Sequence, residues 1–370
     1  MKLGRLIAMS RKEAVQLRRD SRSLALAFIL PVTLIIFFGY AISFDVRNIE
    51  MAVFDDSNTT ASRLLIESFE SSGYFNIKAY PANQHEVTEL LQSGKVKAVL
   101  VIPPDFQADL DAGRKAPVQI LLDGSDANTA SIAENYASAI AARYSANVLF
   151  GGRPHLPVEA ETRVWYNESL ESRNAIVPGL VAVIMSIIAA MLTALTIARE
   201  WERGTMEQLI ATPVTRLEVV LGKLLPYVVI GLFDVALAII AGIVVFHVPL
   251  RGNIALLSVQ TVLFLVGALS FGIFISATVK TQVVATQLAM QTAYLPAILL
   301  SGFMFSISTM PIVLRALTHI VAARYYIRVT RGIFLKGVGA EVLWVEAVAM
   351  VIFAVAGLSL AIRAFRKELA

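Results

Sequence analysis

Six long apolar stretches dominate this sequence and limit what it can fold into. Each is about 20 residues long, and a helix of that length, rising 1.5 Å per residue, crosses the roughly 30 Å of hydrocarbon in a bilayer. The chain has 370 residues, 56% of them hydrophobic, and a mean hydropathy of +0.67. These values exclude an ordinary soluble protein with a single core. The pattern predicts a polytopic α-helical membrane protein with six transmembrane helices, at residues 24–42, 176–198, 224–246, 254–277, 283–305 and 343–362.

Lysine and arginine counts in the short loops predict which side of the membrane each loop faces. Segments 1–23 and 199–223, Lys280 and the tail after residue 362 together carry fifteen basic residues, against six in the opposite loops. Both termini are therefore expected in the cytoplasm, at the inner membrane of a bacterium. Five basic residues between 306 and 342 do not fit this rule. They indicate either short interfacial helices with arginines at lipid head groups, or a span drawn in the wrong place.

The N-terminal segment 1–23 precedes the first span, at 24–43, and is strongly basic. A cleaved signal peptide is disfavoured, because the basic region is too long and the apolar run is close to a full span. The segment admits two interpretations, an amphipathic helix on the cytoplasmic membrane surface or a basic topology signal only. In the first, one side carries Leu3, Leu6, Ile7, Ala14 and Leu17, while the other presents Arg5, Arg11, Lys12, Arg18 and Arg19 to phosphates.

The loop 44–175, between the first two spans, is long enough to form a domain. It carries eleven basic and eighteen acidic residues, and such a long acidic segment is expected to be exported. Short β-branched runs alternate with helical segments, which predicts an extracytoplasmic α/β domain. Its last extended segment is predicted at 158–166. Aspartates after two of the strands indicate a ligand site or, more simply, ordinary turns and helix caps.

The charged run 199–213 cannot lie in hydrocarbon and carries the signals of a short helix between two spans. Thr205 followed by Gln208 matches a capping box, in which the two side chains satisfy free backbone N–H groups at a helix start. Gly204 allows the preceding helix to end, and Pro213 prevents the new helix from continuing.

A second capping box follows at Thr215 and Glu218, where the next span begins. The two boxes predict a short, rigid helix held between two membrane helices by tight turns. An ordinary surface loop does not need this arrangement.

Most catalytic and metal-binding patterns are missing from the sequence. There is no G-x-x-x-x-G-K-[ST] motif, so the chain is not expected to bind ATP phosphates itself, and no Ser/His/Asp set can be argued. Without cysteines, and with four histidines at no metal-ligand spacing, no metal site is expected. Nothing indicates a nucleic-acid partner. The chain is therefore not expected to be an enzyme.

One carboxylate lies inside a predicted span, at Asp234. An ionisable group in the membrane is costly and is a functional candidate, although a wet cavity or a hydrogen bond between helices would also explain it. Aromatic residues add candidates for the path of an amphiphilic substrate, though packing against neighbours or lipid is their usual role. The predicted path residues are Asp234, Phe38, Phe233, Phe271 and Tyr294.

These motifs together resemble the permeases of the ABC-2 type, the membrane subunits of ATP-driven exporters. The resemblance begins with REWERGTMEQL from Arg199, followed by Thr212-Pro213 and Gly222-Lys223. It continues with VIPPDF from Val101, the turn from Asp123 to Ala130, Leu300 to Gly302, and Met310-Pro311. It covers essentially the whole chain and is closest to the subgroup with a large periplasmic domain after the first span.

The resemblance implies a dimer of permeases, with itself or with a paralogue, working with a separate ABC ATPase that binds ATP and magnesium. A periplasmic adaptor and an outer-membrane channel are further implied partners. A fifth span broken into re-entrant pieces would explain the basic stretch 306–342. The loop 199–223 would be the element that docks on the ATPase, through Arg199, Glu200, Glu202, Arg203, Gly204, Thr205, Glu207, Gln208 and Pro213.

The expected function is export of a drug or lipid-like amphiphile, and the charged loop supplies the physical reason. A permease without a nucleotide site must receive work through a stiff contact, which a capped helix joined to two spans provides. The alternative from another class is a membrane-anchored sensor or assembly scaffold whose exported domain binds a ligand or partner. Such a scaffold needs neither six spans nor a loop with paired caps.

Overall fold

The protein divides into two compact units. One contains residues 1–43 and 163–370, and the other contains residues 44–162. The computed structural model describes residues 2–42, 48–149, 165–167, 171–279 and 281–365. The extended segment predicted at 158–166 lies mostly outside the described residues.

The first unit begins with two consecutive helices, α1 (Leu3–Arg19) and α2 (Ser21–Ala41). Leu6, Met9 and Leu17 of α1 are buried, whereas Arg11, Arg18 and Arg19 are exposed. This separation of apolar and basic faces agrees with the amphipathic-helix interpretation of the N-terminal segment. The apolar helix α2 occupies the first predicted span.

The second unit is built from alternating strands and helices, as its sequence pattern predicts. The sheet order is β2-β1-β3-β4, in which β1 pairs in parallel with β2 and β3, and β4 runs antiparallel to β3. Met51, Leu65 and Leu100 are among the side chains that fill its core. The location of this unit outside the cytoplasm remains a prediction. Its elements are β1 (Ile49–Asp55), α3 (Thr60–Glu70), β2 (Phe75–Ala79), α4 (Gln84–Gln92), β3 (Ala98–Ile102), α5 (Phe106–Asp111), β4 (Gln119–Leu122) and α6 (Ala127–Leu149).

After the second unit, the chain returns to the first as a long, almost completely buried helix, α7 (Ser172–Glu202). A six-residue helix, α8 (Met206–Ala211), connects it to α9 (Arg216–Phe246), and α10 (Ile254–Thr278) follows. Gly272 of α10 packs directly on Ala190 of α7. The small residues of the fourth predicted span therefore bring helices of one chain together.

The end of the first unit differs from the predicted fifth span. The helix α11 (Gln282–Leu299) stops six residues before the predicted boundary at 305. Gly302 has a φ of +82°, which an α-helix cannot contain. Short helices follow, the longest being α12 (Ile312–Leu317) and α13 (Ala322–Arg331), and a final long helix, α14 (Ala340–Ala364), covers the sixth predicted span.

Three arginines of the 306–342 stretch bind protein groups. Arg324 donates to the hydroxyl of Thr318, and Arg328 lies 3.4 Å from a carboxylate oxygen of Glu346. Arg331 donates to the main-chain carbonyl of Ala175 over 3.0 Å. The prediction of short helices here is confirmed, and contact of these arginines with lipid head groups stays a prediction.

Four helices of the described chain are long and apolar enough to cross a membrane, namely α7, α9, α10 and α14. The helices at the first and fifth predicted spans fall outside this set. A polytopic membrane protein is therefore supported, and the count of six spans stays a prediction.

Candidate functional site

The turn after α7 is a tight helix-ending motif centred on Gly204. Its φ is +67°, the left-handed conformation that glycine adopts most easily. The N–H of Gly204 donates to the carbonyl of Trp201 over 3.2 Å, and the N–H of Thr205 donates to that of Glu200 over 3.0 Å. This pair of bonds is a Schellman motif, which satisfies the last carbonyls of α7 and fixes the direction in which the chain leaves it.

The capping box predicted at Thr205 and Gln208 is not formed. Thr205 has φ −80° and ψ −7°, whereas a capping residue needs extended backbone, and its hydroxyl donates weakly to the Glu200 carbonyl over 3.4 Å instead. The Schellman motif sets this geometry, because it uses the Thr205 N–H to close α7. The prediction failed because the sequence satisfies both motifs and a single threonine cannot serve both.

The second capping box, at the start of α9, is confirmed. The N–H of Glu218 donates to the Thr215 hydroxyl over 3.4 Å, and the N–H of Thr215 donates to the Glu218 carboxylate over 2.9 Å. The main-chain N–H of Lys2 also donates to Glu218, over 2.6 Å. The box therefore starts α9 and also holds the beginning of α1.

Behind this turn lies a buried cluster of charges from three helices. Lys223 of α9 is fully buried, and its Nζ lies 3.0 Å from Glu13 Oε2 of α1 and 3.1 Å from Glu200 Oε1 of α7. Lys12 Nζ approaches the same Glu200 oxygen at 2.7 Å, and the Tyr227 hydroxyl donates to Glu13 over 3.3 Å. Two carboxylates and two ammonium groups thus join α1, α7 and α9.

The cluster keeps Glu200 and Lys223 charged. Burial alone would raise the pKa of Glu200, but Lys223 and Lys12 outweigh it and the pKa falls below its usual value. Burial likewise would lower the pKa of Lys223, but Glu13 and Glu200 raise it overall. A buried ion pair whose members stay charged resists separation, because each ion would be left unpaired away from water.

Arg199 and Glu202 hold the end of α7 to other helices. Arg199 Nη1 lies 2.7 Å from Asp20, at the junction of α1 and α2, and its Nε donates to Gln282 of α11 over 3.4 Å. Glu202 accepts from the main-chain N–H of Gln282 over 2.6 Å and also from the side-chain amide of that residue. The hydrogen bond from the Gln282 main chain and, to a smaller extent, that from its side chain lower the pKa of Glu202.

The helix α1 packs closely on the beginning of α9. A Cβ added to Gly222 would come 2.7 Å from the side chain of Met9, so a larger residue there would displace α1. Arg5 donates to the main-chain carbonyl of Pro213. With the contacts of Lys2 and Glu13, these interactions fix α1 along most of its length.

A groove of about 540 Å³ lies between α1 and α8. Arg5, Lys12 and Arg203 line it with positive charge, and the α8 side contributes Thr205, Gln208 and Leu209. Glu207 is exposed on α8, whereas Met206 and Leu209 are buried. A partner reaching this groove therefore meets mainly basic groups.

The predicted coupling residues thus fall into two groups. Arg199, Glu200 and Glu202 bind within the chain, and Glu200 is 2% exposed, so it offers no free acid to a partner. The others, Arg203, Gly204, Thr205, Glu207, Gln208 and Pro213, are exposed. The sequence interpretation missed Glu13 and the roles of Lys12 and Lys223 in the ion pairs. One signal was present, because Glu13 lies on the face of α1 that also carries Leu6, Met9 and Leu17.

A partly open apolar cavity of about 370 Å³ lies among α7, α10, α11, α13 and α14. Phe271 lines it together with Phe264 and Phe353, and Ser186 and Thr292 contribute hydroxyl groups. The other predicted path residues do not line this cavity. Phe233 is 56% exposed and stacks edge-to-face on Phe28, while Phe38 and Tyr294 are half-buried.

Asp234 is 1% exposed, and neither carboxylate oxygen has a hydrogen-bond partner among the described residues. A hydrogen bond between helices, one of the alternative explanations for this residue, is therefore absent from the part of the chain that the structure describes. Within that part, no group of three or more acidic, histidine or cysteine side chains could hold a metal ion.

Comparison with known proteins places these features in a family. The model of the family described as ABC-2 family transporter protein matches residues 22–363. The chain is 35% identical to the probable multidrug ABC transporter permease YbhS of Escherichia coli over 95% of this chain and 94% of that protein. It is 32% identical to the probable multidrug ABC transporter permease YbhR of the same organism, over 92% of each chain. Similarity extends to the linearmycin resistance permease protein LnrN of Bacillus subtilis, at 23% identity over 75% of this chain and 78% of that protein.

Proposed function

Because this chain belongs to the ABC-2 family of transporter proteins, we propose that it is the permease subunit of an exporter driven by a separate ATPase. The observation that carries the coupling proposal is the burial of Lys223 between Glu13 and Glu200. This cluster joins three helices next to the turn that leads to α8. A force applied to α8 is therefore transmitted to α1, α7 and α9 together.

The connections of α8 support a role as the docking element. The Schellman motif at Gly204 joins it to α7, and the capping box at Thr215 and Glu218 joins it to α9. Since both junctions are hydrogen-bonded turns, displacement of α8 tilts the helices on either side. Nucleotide binding by the ATPase would favour one arrangement of the membrane helices over another, because it binds the two states unequally.

The charge of the groove between α1 and α8 defines the ATPase surface that fits it. Arg5, Lys12 and Arg203 would bind a segment of the ATPase that carries carboxylates. The exposed Glu207 would bind a basic side chain of the ATPase. Of the three acids predicted to dock, Glu200 and Glu202 bind within the chain, so Glu207 is the acid that this contact would use. We infer one acidic docking segment on each ATPase subunit, next to a basic side chain.

The substrate we propose is a drug or lipid-like amphiphile. Support comes from the apolar cavity lined by Phe264, Phe271 and Phe353, and from the relatives named as multidrug permeases. The Ser186 and Thr292 hydroxyls donate to carbonyls of their own helices, so they offer acceptor oxygens to a small polar part of the substrate. The assembly we propose has a second permease copy or paralogue, ATP and magnesium on the ATPase, and a place in the inner membrane with both termini cytoplasmic. A periplasmic adaptor and an outer-membrane channel complete it.

Reconstitution with the ATPase tests this function. The permease and the ATPase that copurifies with it would be placed in proteoliposomes containing a fluorescent amphiphilic cation. We expect ATP-dependent movement of the dye and faster ATP hydrolysis than by the ATPase alone. Dye movement that is independent of ATP, or an ATPase rate unaffected by the permease, would contradict the proposal and favour a sensor or scaffold.

A further inference from the structure

A second groove, separate from the coupling groove, lies on the other side of α1. It has a volume of about 790 Å³, within the size range of small-molecule sites, and its lining is almost entirely apolar. Leu3, Ile7 and Ala14 line it on the α1 side, and Leu225 and Val229 line it on the α9 side. Leu3 and Val229 are each 66% exposed. Apolar side chains exposed along one continuous groove need an apolar occupant.

Two arginines and one serine give the groove a polar rim. Arg11 and Arg18 line it and are exposed, and neither has a hydrogen-bond or ion-pair partner among the residues that the structure describes. The Ser10 hydroxyl is shielded from solvent and also lacks a partner within that part of the chain. The rim thus offers two positive charges and one free hydroxyl beside an apolar floor.

The floor belongs to the beginning of the predicted span 224–246, so the groove lies where the apolar part of the protein begins. An occupant must therefore combine a long apolar part with an anionic group at one end. We propose that this groove binds one anionic phospholipid, with an acyl chain along Leu225 and Val229 and the phosphate between Arg11 and Arg18. Apolar contact plus charge is the combination by which amphipathic helices select anionic lipids.

Because the position of α1 is fixed, the groove is a defined binding site, and lipid binding there differs from a general attraction of α1 to the membrane surface. The cluster around Lys223, the close contact of Met9 with Gly222 and the bond from Lys2 to Glu218 hold α1 against α9. The groove is therefore formed before a lipid arrives. One lipid per protomer is expected, with an affinity that depends on its head group.

Native mass spectrometry of the full-length permease tests the proposal. Protein in detergent would be titrated with dioleoylphosphatidylglycerol or with dioleoylphosphatidylcholine, which share acyl chains and differ in charge. We expect one bound phosphatidylglycerol per protomer, in preference to phosphatidylcholine. Each arginine should contribute roughly fivefold to this preference. Arg11→Gln with Arg18→Gln should abolish it, whereas Arg19→Gln with Arg216→Gln removes the same charge outside the groove and should keep it.

A blocking variant tests the apolar floor. Val229→Trp should remove the bound lipid, while Val244→Trp, on an equally exposed valine of the same helix, should keep it. If Val229→Trp alters the elution volume of the protein, Leu225→Trp replaces it as the blocking variant.

Three results would overturn the proposal. They are equal binding of the two lipids, a preference that survives loss of both arginines, and displacement of the bound lipid by stoichiometric ATPase. The last would assign the groove to a protein partner.

Discussion

Lys223 Nζ lies 3.1 Å from Glu200 Oε1, although their side chains are 0% and 3% exposed. The two residues are contributed by helices on either side of the proposed docking helix α8. This ion pair therefore joins α7 to α9 beside α8. Its loss should lower both the stability of the protein and its coupling to the ATPase.

Replacing Lys223 with Met should destabilise the protein strongly. Glu13 and Glu200 would stay buried without their shared cation, and breaking a buried ion pair in this way costs about 3–5 kcal/mol. Lys12→Met is the matched control, because Lys12 contacts the same Glu200 oxygen but is 48% exposed. An exposed pair contributes about 0–1 kcal/mol. Thermal unfolding of the two variants in detergent measures the difference, and equal melting temperatures would contradict the importance of the cluster.

The two threonines of the turn should respond differently to alanine. Thr215→Ala removes a capping hydroxyl and should cost about 1 kcal/mol. Thr205→Ala should cost less, because the Thr205 hydroxyl makes one weak bond to the Glu200 carbonyl. Melting temperatures of the two variants make the comparison. A larger loss of stability for Thr205→Ala than for Thr215→Ala would contradict the absence of a capping box at Thr205.

The capping carboxylate of Glu218 should make stability depend on pH. The N–H groups of Thr215 and Lys2 lower its pKa to about 2, below the usual value of a glutamate. Since the folded pKa is the lower one, the stabilisation is complete above about pH 4.5 and is lost as the pH falls towards 2. The melting-temperature difference between the wild type and Glu218→Gln should therefore be largest near neutrality and shrink in acid. A melting-temperature difference that grows in acid would contradict the lowered pKa of Glu218.

Reversing the exposed charge on α8 should uncouple transport. Glu207→Lys places a cation where we expect a basic group of the ATPase, so stimulation of ATP hydrolysis and export should fall together while the protein remains in the membrane. Glu89→Lys makes the same charge change on an exposed residue of α4 and should leave both activities intact. Normal stimulation and transport by Glu207→Lys would remove α8 from the coupling contact.

Asp234→Asn should change which substrates are exported. The carboxylate is buried without a partner among the described residues, so a cationic substrate that reached it would supply the missing partner. Export of cationic dyes should fall relative to that of neutral dyes of similar size. Unchanged transport of both kinds would indicate that Asp234 has a structural role.

Most of the architecture follows from local sequence patterns. The long apolar stretches predict α7, α9, α10 and α14, because a helix is the backbone conformation that satisfies its own hydrogen bonds in lipid. The strand and helix order of the second unit follows from the alternation of β-branched runs with amphipathic segments. Thr215 and Glu218 form their box because they lie three residues apart and the Thr215 N–H is not used to close a preceding helix.

The failures concern contacts between distant residues or competition between local motifs. Glu200 looked like a surface acid because its charged neighbours in sequence are exposed, whereas its partners Lys12 and Lys223 come from other helices. Thr205 matched a capping box but serves a helix ending set by Gly204. The helix α11 was predicted too long because hydropathy does not register the backbone conformation of Gly302.

The bond from Lys223 to Glu13 joins residues 210 positions apart in sequence, which has a consequence for synthesis. At about 5–20 residues per second, a ribosome needs roughly 10–40 s to make the intervening chain. During that interval Glu13 has neither Lys223 nor Tyr227 as a partner. The contact of Glu13 with these two residues therefore forms only after the beginning of α9 has been synthesised.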